Sequence, residues 1–324
     1  MAESLLERIV GSRVRSRDDR RFVLLHLPAA FILLLAILSM LAVFIAYSTP
    51  IIEKEGYRVF TSSLWRAVEG APAREWYGLA PAILGSIYTS VIAVIIAAPL
   101  SVALAVTIEE LAPSRLRGVL SVLTDLMAAT PTIIYGVWGL AYLAPLMYGV
   151  LSWLHTHLGW LPLFREEPTS GYTIATAGVL LSIMSTPYAA AVIREAYSLI
   201  PASLREAAYA IGATRFEAVR ILLGMIRPSI IAGLALAFAR AIGETVAVSL
   251  VIGNSLTITA SITSPGVTVS SLIASQFGNA EFYHYMTSAL FAGGLVIFLI
   301  GVAVNAAAIL YMRRWEEAMG LGRA

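Results

Sequence analysis

Apolar positions in this chain come in long blocks rather than in alternation. Six blocks are long enough for a helix to cross a bilayer core, which takes about 20 residues. They are 27–47, 79–108, 119–149, 172–193, 228–252 and 287–312. Blocks two and three exceed one straight crossing, so tilt or a kink is expected in each. Pro99, Pro131 and Pro187 fall inside blocks two, three and four, and each removes a backbone donor. In lipid the freed carbonyls need other partners, and hydroxyls stand close by: Thr130 and Thr132 around Pro131, Ser185 and Thr186 before Pro187. Thr130, Pro131 and Pro187 are therefore candidates to line a pathway or to kink its walls. Proline is also simply commoner in membrane helices than in soluble ones.

One polar interval has its own pattern. Between blocks four and five, residues 194–227 carry two short helical repeats on either side of Ala213-Thr214. The first places Leu204, Ala207, Ala208 and Ile211 at helical spacing; the second places Phe216, Val219, Leu222 and Leu223. Pro201 suits the opening of the first, and Gly212 suits its end, where a left-handed residue closes a helix. Small residues at Ala207, Ala208 and Gly212 predict a shallow side that another protein's groove approaches closely. The plainer reading is an ordinary amphipathic loop.

Composition agrees with the blocks. The chain is 59% hydrophobic and 13% charged, with mean hydropathy +0.81, outside the range of soluble domains. The expected fold is all-α, an integral membrane protein of six transmembrane helices. An arm at 1–26 and a tail at 313–324 lie on one side, with an outer segment at 48–78. Sixteen arginines fall on the side that holds both termini: six in 8–21, two in 109–118, five in 194–227 and three in 313–323. The other side receives Lys54, Arg58, Arg66, Arg74 and Arg165. This asymmetry predicts that both termini and the 194–227 loop are cytoplasmic. The arginine excess is thus a topology signal, and a net charge of +2 gives no reason to expect nucleic acid. In the arm, Leu5, Leu6, Ile9 and Val10 form one apolar side that suits a helix lying on the membrane.

Several chemistries drop out. There is no cysteine, hence no disulfide, thiol catalysis or Cys metal site. No G-x-x-x-x-G-K-[ST] run occurs, so no P-loop binding of ATP is expected. His155-x-His157 sets its imidazoles on opposed sides of a helix, which is poor metal geometry; interfacial positions suit them better. The first block starts late and lacks an A-x-A-like site, so no cleavable signal peptide is expected. Asp125, early in block three, has two readings: a headgroup contact or a bond within the bundle.

Block five holds the candidate site, in the run F-A-R-A-I-G-E-T-V-A-V. Arg240 and Glu244 sit near its middle, where ionisable groups are expensive and usually mark a pathway or its partner. A spacing of four predicts both on one helix face. The arginine fork donates two parallel bonds to an oxyanion and never deprotonates. A pairing glutamate would ease burial of the cation and compete for its donors, which makes anion binding transient. Gly243 would let a helix or a ligand approach, and Thr245 adds a hydroxyl. The plainer reading is a structural ion pair that fixes helix packing.

These residues also carry a resemblance. Glu206-Ala207-Ala208 followed by Gly212 matches the EAA loop of ABC importer permeases, where that loop docks on the ATP-binding subunit. The loop's closing Leu-Pro is replaced here by Gly224-Met225, and Gly224 is the expected interruption. The run R-A-I-G-E-T-V-A-V-S-L-V-I-G-N from Arg240 to Asn254 resembles the signature of PstC-type permeases of the phosphate-specific ABC importer. Pro131-Thr132-Ile133-Ile134-Tyr135-Gly136-Val137-Trp138-Gly139 is similar to a second PstC segment, and the match covers roughly 79–312. The resemblance implies the type I ABC importer permease (MetI-like) fold and a phosphate pathway at Arg240, Gly243, Glu244 and Thr245. It implies coupling through Glu206, Ala207, Ala208 and Gly212. Its expected partners are a sister permease (PstA-type), two ATP-binding subunits (PstB-type) and an extracytoplasmic phosphate-binding protein (PstS-type). No cofactor is expected in this chain, because ATP and Mg belong to the partner subunits. The implied cycle is alternating access: closure of the ATP-binding subunits pushes the Glu206–Gly212 helix and rotates spans two to five.

Three alternatives compete. Another oxyanion, molybdate or sulfate, would fit the EAA loop, but the two PstC-like segments favour phosphate. A proton-coupled secondary transporter using Glu244 would favour inverted repeats, which the sequence does not display, and would leave the docking loop without purpose. A membrane enzyme would need a metal cluster or a nucleophile–base set, and the spans offer neither.

Overall fold

The computed structural model describes residues 17–318, and Leu5, Leu6, Ile9 and Val10 of the arm lie outside that range. Helix α1 (Arg17–Glu55) leads through the short α2 (Arg58–Thr61) to a two-stranded ribbon, β1 (Trp65–Arg66) and β2 (Trp76–Tyr77). Then come α3 (Ala80–Val106), α4 (Ser114–Ala129), α5 (Thr132–Trp138) and α6 (Ala144–Leu158). The remainder is α7 (Ile174–Ser198), α8 (Ala202–Ala210), α9 (Arg215–Met225), α10 (Arg227–Gly243), α11 (Val246–Val251), α12 (Val269–Gln276) and α13 (Met286–Ala318).

Among the described residues, five stretches are long and apolar enough to cross a membrane: Leu25–Glu55, Ala80–Leu111, Thr132–Leu158, Ile174–Ser198 and Met286–Trp315. The bent pair α9 and α10, which meet at 72°, adds a sixth when counted as one. Only α10 of that pair is strongly apolar, and it continues past a break at Glu244-Thr245 into α11. The six expected crossings are thus reached by counting an interrupted one.

The third crossing differs from the expected 119–149. It runs over Thr132–Leu158, and α4 is a separate helix in front of it. Pro131 is the reason, since it has no N–H to continue the ladder, and Thr130 before it is extended (ψ 129°). The loop after this crossing shrinks accordingly, and His155 and His157 lie in the last turn of α6. His155 meets the Phe164 carbonyl at 2.9 Å, and His157 stacks on Trp153. The 72° bend before α10 also differs in cause. Helix α9 runs straight through Gly224, and Pro228 at the start of α10 makes the break.

Helix α7 is the most enclosed crossing, packed by α3, α4 and α10. Helices α1 and α13 pair at the periphery, where Phe44 and Tyr47 meet Phe291, and their most apolar stretches are little buried. Segment 48–78 folds down as a cap. The Glu75 carboxylate accepts from the His284 and Tyr285 N–H groups and from the Tyr77 hydroxyl, tying the ribbon to the start of α13. Lys54 bonds the Pro72 and Glu75 carbonyls and lies over the Tyr285 ring. This cap closes an apolar cluster of Ile51, Val59, Tyr77, Leu79, Leu272 and Leu290.

The Ser/Thr-rich interval after α11 is more than a connector. The Ser86 hydroxyl of α3 accepts the Val269 N–H at 2.9 Å, which seats α12 on the bundle. Gly85 is obligatory beside it, because a Cβ there would come within 2.1 Å of the Val267 carbonyl oxygen. At the same end Glu166 fastens the interval to the loop after α6. Its carboxylate accepts from Thr259 at 2.7 Å and Ser264 at 2.5 Å. Those bonds hold it below the usual glutamate value.

Candidate functional site

Arg240 lies in the last turn of α10, half-buried, with its guanidinium carbon 4.3 Å from the centre of the Tyr188 ring. Its Nε is buried and has no hydrogen-bond partner among the described residues. Tyr188 follows Pro187 on α7, the most enclosed crossing, so its ring is held by a packed helix. The Tyr188 hydroxyl reaches across to the Ala128 carbonyl at the end of α4.

That end explains why the ring is fixed. The last carbonyls of a helix have no partner within it. Here three successive ones are met by side chains. Thr130 Oγ1 donates to Leu126 (2.8 Å), Tyr135 OH to Met127 (2.9 Å), and Tyr188 OH to Ala128 (2.5 Å). Thr130 and Pro131 therefore shape the break, and Pro187 is buried one residue from the ring that carries Arg240. Tyr135 also stands close enough to interact electrostatically with Tyr188 and Arg240.

Glu244 is not where spacing alone puts it. Helix α10 ends at Gly243, and Glu244 is extended (φ −69°, ψ 130°), so the two residues do not share a helical face. None of the ion pairs among the described residues joins Arg240 to Glu244. The expected pairing glutamate is thus corrected. The helix breaks between the partners, and the carboxylate turns to the start of α11, 3.5 Å from the Ala247 N–H. At that length the contact is weak. Gly243 is exposed with open space where a Cβ would be, and the Thr245 hydroxyl bonds the Gly243 carbonyl at 3.3 Å.

The two signature-like segments touch. Gly136 on α5 packs so closely on α11 that a Cβ would lie 2.9 Å from Ala247 Cα and 2.8 Å from Leu250 Cδ1. Gly139 meets Val251 and Leu180 in the same seam. Helix α5 thus buttresses the break that displays Glu244. The Asp125 alternatives resolve to a bond within the bundle, at 3.3 Å from Arg194 of α7.

The polar interval after α7 forms two short helices, α8 and α9, at the arginine-rich end. Gly212 closes α8 in a left-handed conformation (φ +82°) with nothing near it, as expected. Thr214 and Glu217 form a reciprocal cap that starts α9, legible in the sequence as T-x-x-E. Glu206, Ala207 and Gly212 are exposed, but Ala208 is buried, so it anchors α8 to its own chain and is no part of an outward shallow side. What the tip presents instead is apolar bulk. Ile211 and Phe216 are more than 70% exposed and stand beside a concavity lined by Gly212, Ala213 and Ile221.

Two residues escaped the reading of the sequence. Tyr188 is one aromatic among many in a membrane chain, and only the fold sets it beneath Arg240. Glu110, at the end of span two, is the other. Its carboxylate meets the Tyr197 and Tyr209 hydroxyls and Arg205. Its proximity to a span end was a signal, but an acidic residue there is commonly just solvated.

With this geometry in place, the comparisons are specific. Residues 97–317 match the family described as binding-protein-dependent transport system inner membrane component. The probable phosphate transport system permease protein PstC of Methanocaldococcus jannaschii is 50% identical, covering 93% of this chain and 96% of its own. The phosphate transport system permease protein PstC of Xylella fastidiosa is 37% identical, covering 94% of each chain. That of Mesorhizobium japonicum is 35% identical over 95% of this chain and 97% of its own. The chain belongs to the binding-protein-dependent inner membrane components and, among them, to the PstC permeases.

Proposed function

We infer that this chain is the permease subunit of an ATP-driven importer of inorganic phosphate. It forms half of the translocation path and receives the ATP-binding subunit on α8 and α9. The observation that carries the reading is Arg240, a permanent cation in an interrupted crossing, held on Tyr188 and unpaired by any acid among the described residues. Such a group is expensive in a membrane unless an anion meets it. The fork is matched to a tetrahedral oxyanion, and the membership in the PstC permeases makes that anion phosphate.

The partners belong to the same reading. A sister permease completes the path, against the outward apolar side chains of α4 and α5. Two ATP-binding subunits supply hydrolysis with their own ATP and Mg, so this chain is a transport subunit and not an enzyme. A phosphate-binding protein delivers cargo at the end where Glu166 ties the loops. Both termini face the cytoplasm, on the arginine-rich side. Glu206, Ala207 and Gly212 lie on the docking face, while Ala208 holds that face to the bundle. As phosphate passes, Arg240 binds it through its fork. Glu244, on the break beside Gly243 and Thr245, repels it and limits its residence.

The test is uptake of labelled phosphate by liposomes holding the complete complex. Wild type should require ATP and ignore sulfate and molybdate, and Arg240→Gln should assemble but not transport. Competition by sulfate or molybdate would replace phosphate with another oxyanion. Uptake driven by a proton gradient without ATP would overturn the reading.

A further inference from the structure

Span two does not end in an ordinary helical turn. Helix α3 passes into a π turn over Thr107–Leu111, closed by the Ala112 N–H on the Thr107 carbonyl at 2.8 Å. One extra residue in a turn rotates the next side chains by roughly 100° about the axis, and π turns are frequent at functional positions. This one presents two glutamates to different neighbours. Glu109 pairs with Arg117 of α4. Glu110 turns to the docking element.

Four residues from three elements converge on Glu110. One carboxylate oxygen accepts from the Tyr209 hydroxyl of α8 at 3.1 Å. The other accepts from the Tyr197 hydroxyl at the end of α7 at 3.3 Å and lies 3.7 Å from Arg205 of α8. The Glu110 backbone carbonyl accepts from Arg215, the first residue of α9. Arg205 is itself positioned by the Tyr197 carbonyl at 2.9 Å and by the Tyr197 ring, 5.1 Å from its guanidinium carbon. The Glu110 side chain is only 12% exposed, which shields its carboxylate from water and salt, although Tyr209 and Arg215 reach it from the surface. Helix α8 and the end of α7 thus close on the Glu110 carboxylate, and α9 closes on the backbone carbonyl of the same residue.

We propose that Glu110 is the residue through which movement of the docking helices is passed to span two. This rests on the reading of the chain as an ATP-driven permease. Helix α3 is one continuous rod from Ala80 to the π turn, and it packs along α7 and α10, which carry Tyr188 and Arg240. Beside Glu110, α8 is tied to the bundle by the Arg205 bond to the Tyr197 carbonyl, while Leu222 of α9 packs in an apolar cluster with Ile193 and Ile226. Apolar contacts slide, whereas a carboxylate held by two hydroxyls and a guanidinium fixes direction as well as distance. Energetic coupling needs such a connected element with a defined geometry. Glu110 is a positioning residue: it touches neither phosphate nor nucleotide.

The experiment measures phosphate transported per ATP hydrolysed, in liposomes holding the complete complex. Wild-type transport with ATP establishes the reading on which the proposal rests; its absence would sink that reading rather than this one. Glu110→Gln should leave co-purification of the ATP-binding subunit and ATP hydrolysis near normal, while phosphate per ATP falls about tenfold. Tyr209→Phe, which removes one donor and keeps the fold, should lower the ratio in the same direction by a smaller factor. Proportional loss of uptake and hydrolysis, or an unchanged ratio in both variants, overturns the proposal. Loss of subunit capture in Glu110→Gln with an unchanged ratio in Tyr209→Phe also overturns it, and makes Glu110 a brace of the docking surface.

Discussion

The guanidinium of Arg240 lies over the ring of Tyr188, 4.3 Å from its centre, and the hydroxyl of that ring is tied to the Ala128 carbonyl at the end of α4. A cation in the membrane is thereby steadied by a quadrupole rather than by a carboxylate. Such a contact is worth about 2 kcal/mol when desolvated, enough to hold the fork without neutralising it. An ion pair would occupy the donors that an anion needs.

The first prediction separates the ring from the hydroxyl. Tyr188→Ala removes both and should raise the KM for phosphate uptake by about tenfold or more, in line with about 2 kcal/mol of lost positioning. Tyr188→Phe keeps the ring and should retain most of the affinity. Equal loss in both variants would show that the tether to Ala128, and not the ring, sets Arg240.

Glu244→Gln tests the correction of the ion pair. No bond joins Glu244 to Arg240, so the melting temperature of the purified complex should stay nearly unchanged, within about 0.5 kcal/mol of stability. A large loss would mean that the charge is structural after all.

Gly136→Ala probes the seam between the two signature segments. A Cβ would press on Ala247 and Leu250, and overpacking costs about 1–3 kcal/mol. Gly118→Ala is the control, in an exposed position of α4 with open space around it, where replacing glycine stabilises a helix by roughly 0.5–1 kcal/mol. Thermal unfolding in detergent should move in opposite directions for the two.

Gly212 carries two demands that different substitutions separate. Its φ of +82° penalises any side chain with a Cβ except the few that tolerate left-handed backbone. Gly212→Asn should therefore keep capture of the ATP-binding subunit better than Gly212→Ala, although asparagine is larger. Gly212→Trp should abolish capture. If Asn and Ala were equally harmful, shape and not backbone conformation would be decisive.

Glu166 should give the outer loops a pH dependence. Its folded value lies below the ordinary 4.5, because Ser264 and then Thr259 donate to the ionised form. The stabilisation is complete above the unfolded value and is lost as pH falls through the folded one. Hydrogen exchange of residues 255–264, corrected for the intrinsic rate, should lose protection as pH falls below the ordinary glutamate range. In Glu166→Gln the same segment should be weakly protected at every pH. Equal protection of wild type and Glu166→Gln above the ordinary glutamate range would count against the latch.

The sequence by itself determined the class of fold, the number of crossings and the residues that carry charge into the membrane. Block length and hydropathy are local properties, and a buried Arg240 is visible because nothing else in those blocks is basic. The turn at Gly212 was legible too, since left-handed backbone selects for glycine. Tertiary structure decided the rest. It shifted span three along the chain by a turn chemistry at Pro131, turned Ala208 inward, and made Pro228 rather than Gly224 the break before α10. It also parted Arg240 from Glu244, because a spacing of four places residues together only where the helix continues, and here it stops at Gly243. Tyr188 and Glu110 were beyond reach for a related reason. Their partners lie 52 and between 87 and 105 positions away along the chain, and no periodicity of a single helix records contacts made across a bundle.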